Sequence, residues 1–245
     1  MNIVFQLSMK TFLSLFLQPV YYHLWFIYSI LGLYLAAPVL KMLLFDGKLL
    51  AYYLIVWFLA VAIIPFLKFF LAVSSFYELH FFMLHTGYFL LGYSLGEGKL
   101  VFPLRFRSFS LWCIFLLSTL VTFLGTSVLS HLSGKFVELL YSYTSLSVIP
   151  ASCSAYLLLK KYAIRLKKFE SLVPVIEKLA KYSFGIYFVH VVYLTLLNDK
   201  VFGFRLNGLT WHPVAGIPAT MALTLLLSFW SVSLLRRLPL MKNFV

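Results

Sequence analysis

The sequence predicts an all-α protein, a polytopic bundle of transmembrane helices, and three observations carry that prediction. First, 62% of the 245 residues are hydrophobic, 11% are charged, and the mean hydropathy is +0.97. A soluble domain of this length needs far more polar surface to cover its core. Second, the apolar residues fall into seven segments, at 23–43, 49–71, 80–96, 109–130, 143–162, 182–198 and 214–235. Each is close to the roughly 20 residues that a membrane-crossing helix requires. Third, lysine and arginine gather in alternate connections between those segments. The chain reads as a single membrane domain, 1-245, with no room for a sizeable soluble one.

The elements follow in order. Residues 3–20, IVFQLSMKTFLSLFLQPV, are apolar but include Gln6 and Lys10. They read as a helix lying in the membrane interface, with an eighth span as the alternative. The first residues lack the basic region and small-residue cleavage site of a secretory signal. The first span opens at His23 in YYHLWFIYSILGLYLAAPVL. The second follows the connection KMLLFDGK. The third holds Gly92 and Gly96, a small-xxx-small pair that predicts close helix packing. The fourth and fifth contain Cys113 and Cys153, read as small core residues. Residues 166–181, LKKFESLVPVIEKLAK, read as a surface helix that leads into the sixth span and is interrupted by Pro174. The seventh ends before Arg236 and Arg237.

The four basic connections hold Lys41 and Lys48; Lys99, Arg105 and Arg107; Lys160, Lys161, Arg165, Lys167 and Lys168; and Arg236, Arg237 and Lys242. Because they alternate, all four fall on one side of the membrane, and the positive-inside rule makes that side cytoplasmic. His23 then stands at the outer face and the C-terminus inside. This topology accounts for the formal charge of +13, so nucleic acid is not an expected partner; membrane lipid is. No cysteine–histidine spacing suits zinc, and no phosphate-binding glycine loop or nucleophile elbow occurs.

Ionisable groups at membrane depth cost several kcal/mol unless they face protein or a wet cavity. In YSFGIYFVHVVYL, Ser183, Tyr187 and His190 stand at i, i+4 and i+7, on one helix face. They either bond a neighbouring helix or line a polar pocket in which the imidazole moves protons. His23, beside Tyr21, Tyr22 and Trp25, is either part of an interfacial aromatic belt or part of a ring surface for a ligand. Glu78, His80 and His85 surround the start of the third span. Glu78 and His85 share a face but lie about two turns, roughly 10 Å, apart. The KKYAIRLKK cluster either marks the cytoplasmic side or holds the phosphates of a nucleotide-like donor.

Three of these stretches carry a resemblance. YYHLWFIYSILGLYLAAPVLK resembles the histidine-leucine-tryptophan-phenylalanine span of the acyltransferase family 3 membrane proteins. LAKYSFGIYFVHVVYL resembles that family's penultimate span, and HTGYFLLGYSLG is similar to its glycine-rich mid-chain span. Order and spacing agree over essentially the whole chain, and the tone is closest to the surface-polysaccharide O-acetyltransferases. The resemblance implies acetyl-CoA as the acyl-CoA donor and no metal. It implies a sugar hydroxyl of a cell-surface polysaccharide, or of its lipid-linked precursor, as acceptor. It places the chain in the bacterial inner (plasma) membrane. His190 and His23 become the catalytic candidates, with Tyr187, Ser183, Trp25 and Tyr22 as substrate-binding candidates. The family's arginine–histidine motif of the first span has no counterpart, since Arg105 is the first arginine. The chain is therefore expected to begin after the family's first spans. An inactive membrane fragment, or a transporter or flippase of lipid-linked saccharide, are the alternatives. A transporter often shows internal symmetry, and no repeat is visible.

Overall fold

The computed structural model describes residues 22–71, 81–98, 108–166, 171, 173–201, 203–210 and 212–237, and among them all regular structure is helical. Helix α1 (Trp25–Met42) is entered through a single 3-10 turn, Tyr22–Leu24. It is followed by α2 (Gly47–Leu71), α3 (Phe81–Glu97) and α4 (Ser108–Ser133). Then come α5 (Val148–Leu166), α6 (Val173–Asn198) and α7 (Pro213–Leu235). Each expected segment is one of these helices. Five of them, α1, α2, α4, α6 and α7, are long and apolar enough to cross a membrane. The other two are more modest. Helix α3 has 17 residues, at the low end of the roughly 17–25 that spans use. The last turns of α5 carry Lys160, Lys161 and Arg165, which shorten its apolar run. The expected interfacial helix at 3–20 lies outside the described residues.

Local chemistry explains the boundaries. Asp46 is extended (φ −120°, ψ 109°), and its carboxylate accepts from the Lys48 and Leu49 N–H groups at 2.8 and 3.3 Å, which caps α2. At the start of α7, the His212 ring accepts from the Val214 N–H and Pro213 opens the helix, where its missing N–H is harmless. Gly98 and Gly134 follow the ends of α3 and α4 with φ of +68° and +64°, the left-handed conformation that stops a helix most cheaply with glycine. Pro174 stands in the first turn of α6, where proline is tolerated. The reading of Pro174 as an interruption is thereby corrected. From Val173 onward the chain runs unbroken into the sixth span.

Helix α2 changes pitch midway. Leu59–Ile63 form a π-turn between the α-helical stretches Gly47–Phe58 and Ile64–Leu71. Pro65 supplies a cause: it has no N–H for the carbonyl four residues back, Val61, and its ring crowds that carbonyl. Widening the preceding turn relieves the crowding and opens a groove on the helix surface.

The chain divides into two compact units, Met1–Ile164 and Arg165–Val245. In the first, α3 packs on both α1 and α2. Leu40, Leu50, Leu54 and Leu90 form one buried cluster, and Trp57, Val61, Ala62 and Ile149 form another. In the second unit α6 and α7 form an extensive pair, with Tyr182 stacked 5.2 Å from Phe229 and the Tyr193 hydroxyl bonded to Ser231. Outside these cores, large apolar side chains such as Leu35, Phe109 and Met221 are two-thirds or more exposed. Surface of this kind suits lipid rather than water.

Among the described glycines, the least space for a side chain is at Gly87. A methyl group there would overlap the indole of Trp57, whereas one at Gly92 meets nothing within 4 Å among the described residues. Of the expected Gly92–Gly96 pair, only Gly96 touches a neighbour, the Tyr156 hydroxyl at 3.0 Å from its notional Cβ. Gly87→Ala should therefore destabilise by about 1–3 kcal/mol through overpacking, seen as a lower unfolding midpoint in detergent. Gly92→Ala should be neutral or stabilise by up to about 1 kcal/mol, because alanine favours helix. Equal effects of the two substitutions would contradict the packing described.

Candidate functional site

The chemistry-bearing side chains of the first unit gather at the end where α1 and α3 begin. Trp57 starts the arrangement. Its ring lies on Gly87, its Nε1–H donates to the Leu84 carbonyl at 3.1 Å, and it meets Tyr88 edge-on at 5.4 Å. The Tyr88 hydroxyl in turn donates to the backbone carbonyl of Tyr143 at 2.5 Å. One turn away, the Tyr53 hydroxyl and the buried Thr86 hydroxyl are bonded at 2.6 Å. These contacts link α2, α3 and the segment between α4 and α5 at one level.

That segment, 134–147, is itself tied by its own serines. Ser145 and Ser147 both donate to the Leu140 carbonyl, at 2.9 and 3.0 Å, and Ser145 accepts from the Val148 N–H at the start of α5. Above it, Trp25 packs 5.7 Å from both His85 and Tyr143. Tyr22 and His23 meet edge-on at 5.7 Å, with Tyr22 exposed and His23 half-buried. The rings near His23 thus include Tyr22, and Trp25 is joined by His85 and Tyr143. Glu78 and His80 lie outside the described residues.

Three cavities open around the segment. A chamber of about 560 Å³ is bounded by the π-turn of α2, by Lys68 and Leu84, and by Glu138, Ser142 and Thr144. A slot of about 530 Å³ lies between Phe66 and Phe70 on α2 and Leu117, Val121 and Leu129 on α4. It shares Phe66 and Leu146 with the chamber. A hollow of about 710 Å³ runs along Thr119, Thr122 and Thr126 to Tyr141 and Tyr143. Thr119 and Thr122 donate to carbonyls of their own helix, at 2.8 and 3.0 Å, the usual fate of hydroxyls in apolar helices.

At the opposite end of this unit, Lys160 donates to the carbonyls of Leu95 and Gly96. A cation there satisfies carbonyls left open by the helix end and complements its negative dipole. One lysine of the KKYAIRLKK cluster therefore has a structural use.

The other sequence candidates lie in the second unit. Ser183 is exposed and donates to the Ala180 carbonyl at 2.8 Å. Tyr187 and His190 are half-buried, with ring centres 5.9 Å apart. Nδ1 of His190 meets the Tyr187 carbonyl at 2.6 Å and the Ile186 carbonyl at 3.3 Å. A carbonyl only accepts, so Nδ1 carries the proton and Nε2 holds the basic lone pair of the neutral ring. At the base of α6, Lys178 and Arg236 flank Tyr182 at 5.8 and 4.9 Å, a cation–π arrangement. No group of three or more histidine, cysteine, aspartate or glutamate side chains stands together among the described residues.

Tyr143, Trp57, Lys68 and Glu138 were not singled out by spacing. Tyr143 and Trp25 meet across more than a hundred residues, and no local period reports such a contact. The π-turn had one sequence signal, Pro65 in an otherwise unbroken apolar span. Tyr88→Phe should loosen the 134–147 segment, with a loss of about 0.5–1.5 kcal/mol for one hydrogen bond. Hydrogen–deuterium exchange should show faster uptake across residues 138–147 and little change in α1. Unchanged exchange there would contradict a holding role for the Tyr88–Tyr143 bond.

Comparison with known proteins supplies the family. The chain matches the family model Acyl_transf_3, described as an acyltransferase domain, over residues 1–232, and the match runs through both compact units. None of the curated proteins and none of the solved structures compared with the chain matches it. With its all-helical build and five helices able to cross a membrane, the chain belongs to the acyltransferase 3 family, as a multi-pass membrane member.

Proposed function

We propose that the protein transfers an acyl group, acetyl from acetyl-CoA, to a sugar hydroxyl of a cell-surface polysaccharide or its lipid-linked precursor. The proposed setting is the bacterial inner membrane, with the C-terminus cytoplasmic. Membership of the family supports acyl transfer at a membrane. The observation that favours a polar acceptor is the chamber walled by Glu138, Ser142 and Thr144. It opens at the end of the first unit opposite Lys160, and the positive-inside rule turns that end outward.

In this reaction the acceptor hydroxyl attacks the thioester carbonyl. An ester C–O bond forms, the C–S bond breaks, and the hydroxyl proton ends on the departing CoA thiolate, which leaves as the free thiol. A base near neutral pKa assists both proton movements. In this proposal His190 acts as that base through Nε2, with its ring held by the bonds from Nδ1. His23 is the second candidate. Tyr187 and Ser183 would line the path beside His190. Trp25 and Tyr22 would offer ring faces to the sugar, and the basic helix ends would attract the CoA phosphates.

The test uses the protein in membranes, with labelled acetyl-CoA and the polysaccharide of its host as substrates. Label should enter the polysaccharide as a base-labile ester. His190→Ala should lower the transfer rate by about 10²-fold or more, the usual worth of a general base, at normal protein level. Unchanged transfer by His190→Ala would reject its role. No label in any glycan would reject the acceptor class.

A further inference from the structure

The slot and the chamber of the first unit adjoin one another, and they differ in character. The slot is walled by Phe66, Phe70, Leu117, Val121 and Leu129, an environment for hydrocarbon. The chamber contributes Lys68, Glu138, Ser142 and Thr144, an environment for charge and hydroxyls. Phe66 and Leu146 belong to both, and Lys68 lies within one turn of Phe66 and Phe70.

Lys68 supplies the cation. It stands in the last turn of helix α2, which has no other charged side chain after Lys48, so its stem can lie along the apolar wall while its ammonium reaches the chamber. Lys68 is half-buried, and no hydrogen bond or ion pair involves it among the described residues. Glu138 lines the same chamber yet forms no ion pair with it there. A ligand with a tail alone would use only the slot. A free sugar would use only the chamber. The cation at the junction matches an anion placed between tail and sugar.

We propose that this site holds a glycosyl phosphate lipid: tail in the slot, phosphate at the Lys68 ammonium, and sugar hydroxyls donating to Glu138 and the chamber serines and threonines. The Glu138 carboxylate repels a second anion but accepts from hydroxyls, so it favours a glycosylated head over a bare phosphate. The inference rests on the acyltransferase reading and narrows its acceptor to the lipid-linked form.

The probe is dodecyl glucosyl phosphate with a photoreactive diazirine in its tail, added to the full chain in phosphatidylcholine nanodiscs. Label should map to residues 64–71 and 117–129 and be displaced by unlabelled dodecyl glucosyl phosphate. Lys68→Gln should reduce labelling about tenfold, and Lys68→Arg should retain it, which separates charge loss from misfolding. Glu138→Gln should abolish the preference for dodecyl glucosyl phosphate over dodecyl phosphate. Equal displacement by phosphatidylglycerol would show an ordinary lipid-binding crevice and overturn the proposal. So would unchanged labelling of Lys68→Gln, or label confined to other helices. Because labelling is read without acyl transfer, intact labelling with no transfer counts against the proposed reaction and leaves this site standing.

Discussion

The indole of Trp57 occupies the space that a side chain at residue 87 would fill, and the architecture of the first unit depends on that contact. It lets α2 and α3 approach closely. It sets the Trp57 N–H on the Leu84 carbonyl and the ring edge against Tyr88. Tyr88 then holds the Tyr143 carbonyl, and Tyr143 meets Trp25 from the start of α1. In hydrocarbon there is no water to satisfy an indole N–H or a phenol, so each must find a protein acceptor. That requirement converts a few polar atoms into a fixed geometry. Nearby, the proline-induced π-turn leaves a groove that close packing would otherwise have filled.

The two ends of this unit serve different chemistry. At one end Lys160 closes the exposed carbonyls of α3, and the basic residues of the neighbouring helix termini accumulate. At the other, rings and hydroxyls surround cavities large enough for a sugar and a chain. Under the proposed reaction, a soluble thioester on one side and an acceptor on the other would call for such a polarity. In the second unit several hydroxyls bond to their own helix, as Ser183, Thr195 and Thr220 do. His190 differs in that its ring, through Nδ1, bonds to backbone carbonyls of its own helix, which fixes the ring's orientation.

Much of the fold was legible in the sequence because one strong signal, apolar runs of membrane length, dominates it. All seven segments became helices, with ends displaced by a few residues where caps such as Asp46 and Gly134 decide them. Pro174 misled because proline is read as a breaker unless its position in the first turn is known. The Gly92–Gly96 pair was half right, since Gly96 meets Tyr156 and Gly92 meets nothing; a small-residue spacing does not say which face meets a neighbour, and the tight contact falls at Gly87. The candidate site was only half visible. Trp25, Tyr22 and His23 declared themselves through local clustering. Tyr143, Lys68 and Glu138 required the fold, since what joins them to the rest is contact between distant parts of the chain.

If the proposed orientation holds, the chamber end of the first unit faces away from the compartment that holds the basic helix ends. The most direct test of that orientation is cysteine labelling on intact cells, after Cys113 and Cys153 are replaced by alanine. Ser142→Cys on the exposed chamber wall should react with a membrane-impermeant maleimide from outside. Lys161→Cys, exposed at the other end, should react only after the cells are permeabilised. Labelling of both positions from the same side, or in the reverse order, would contradict it.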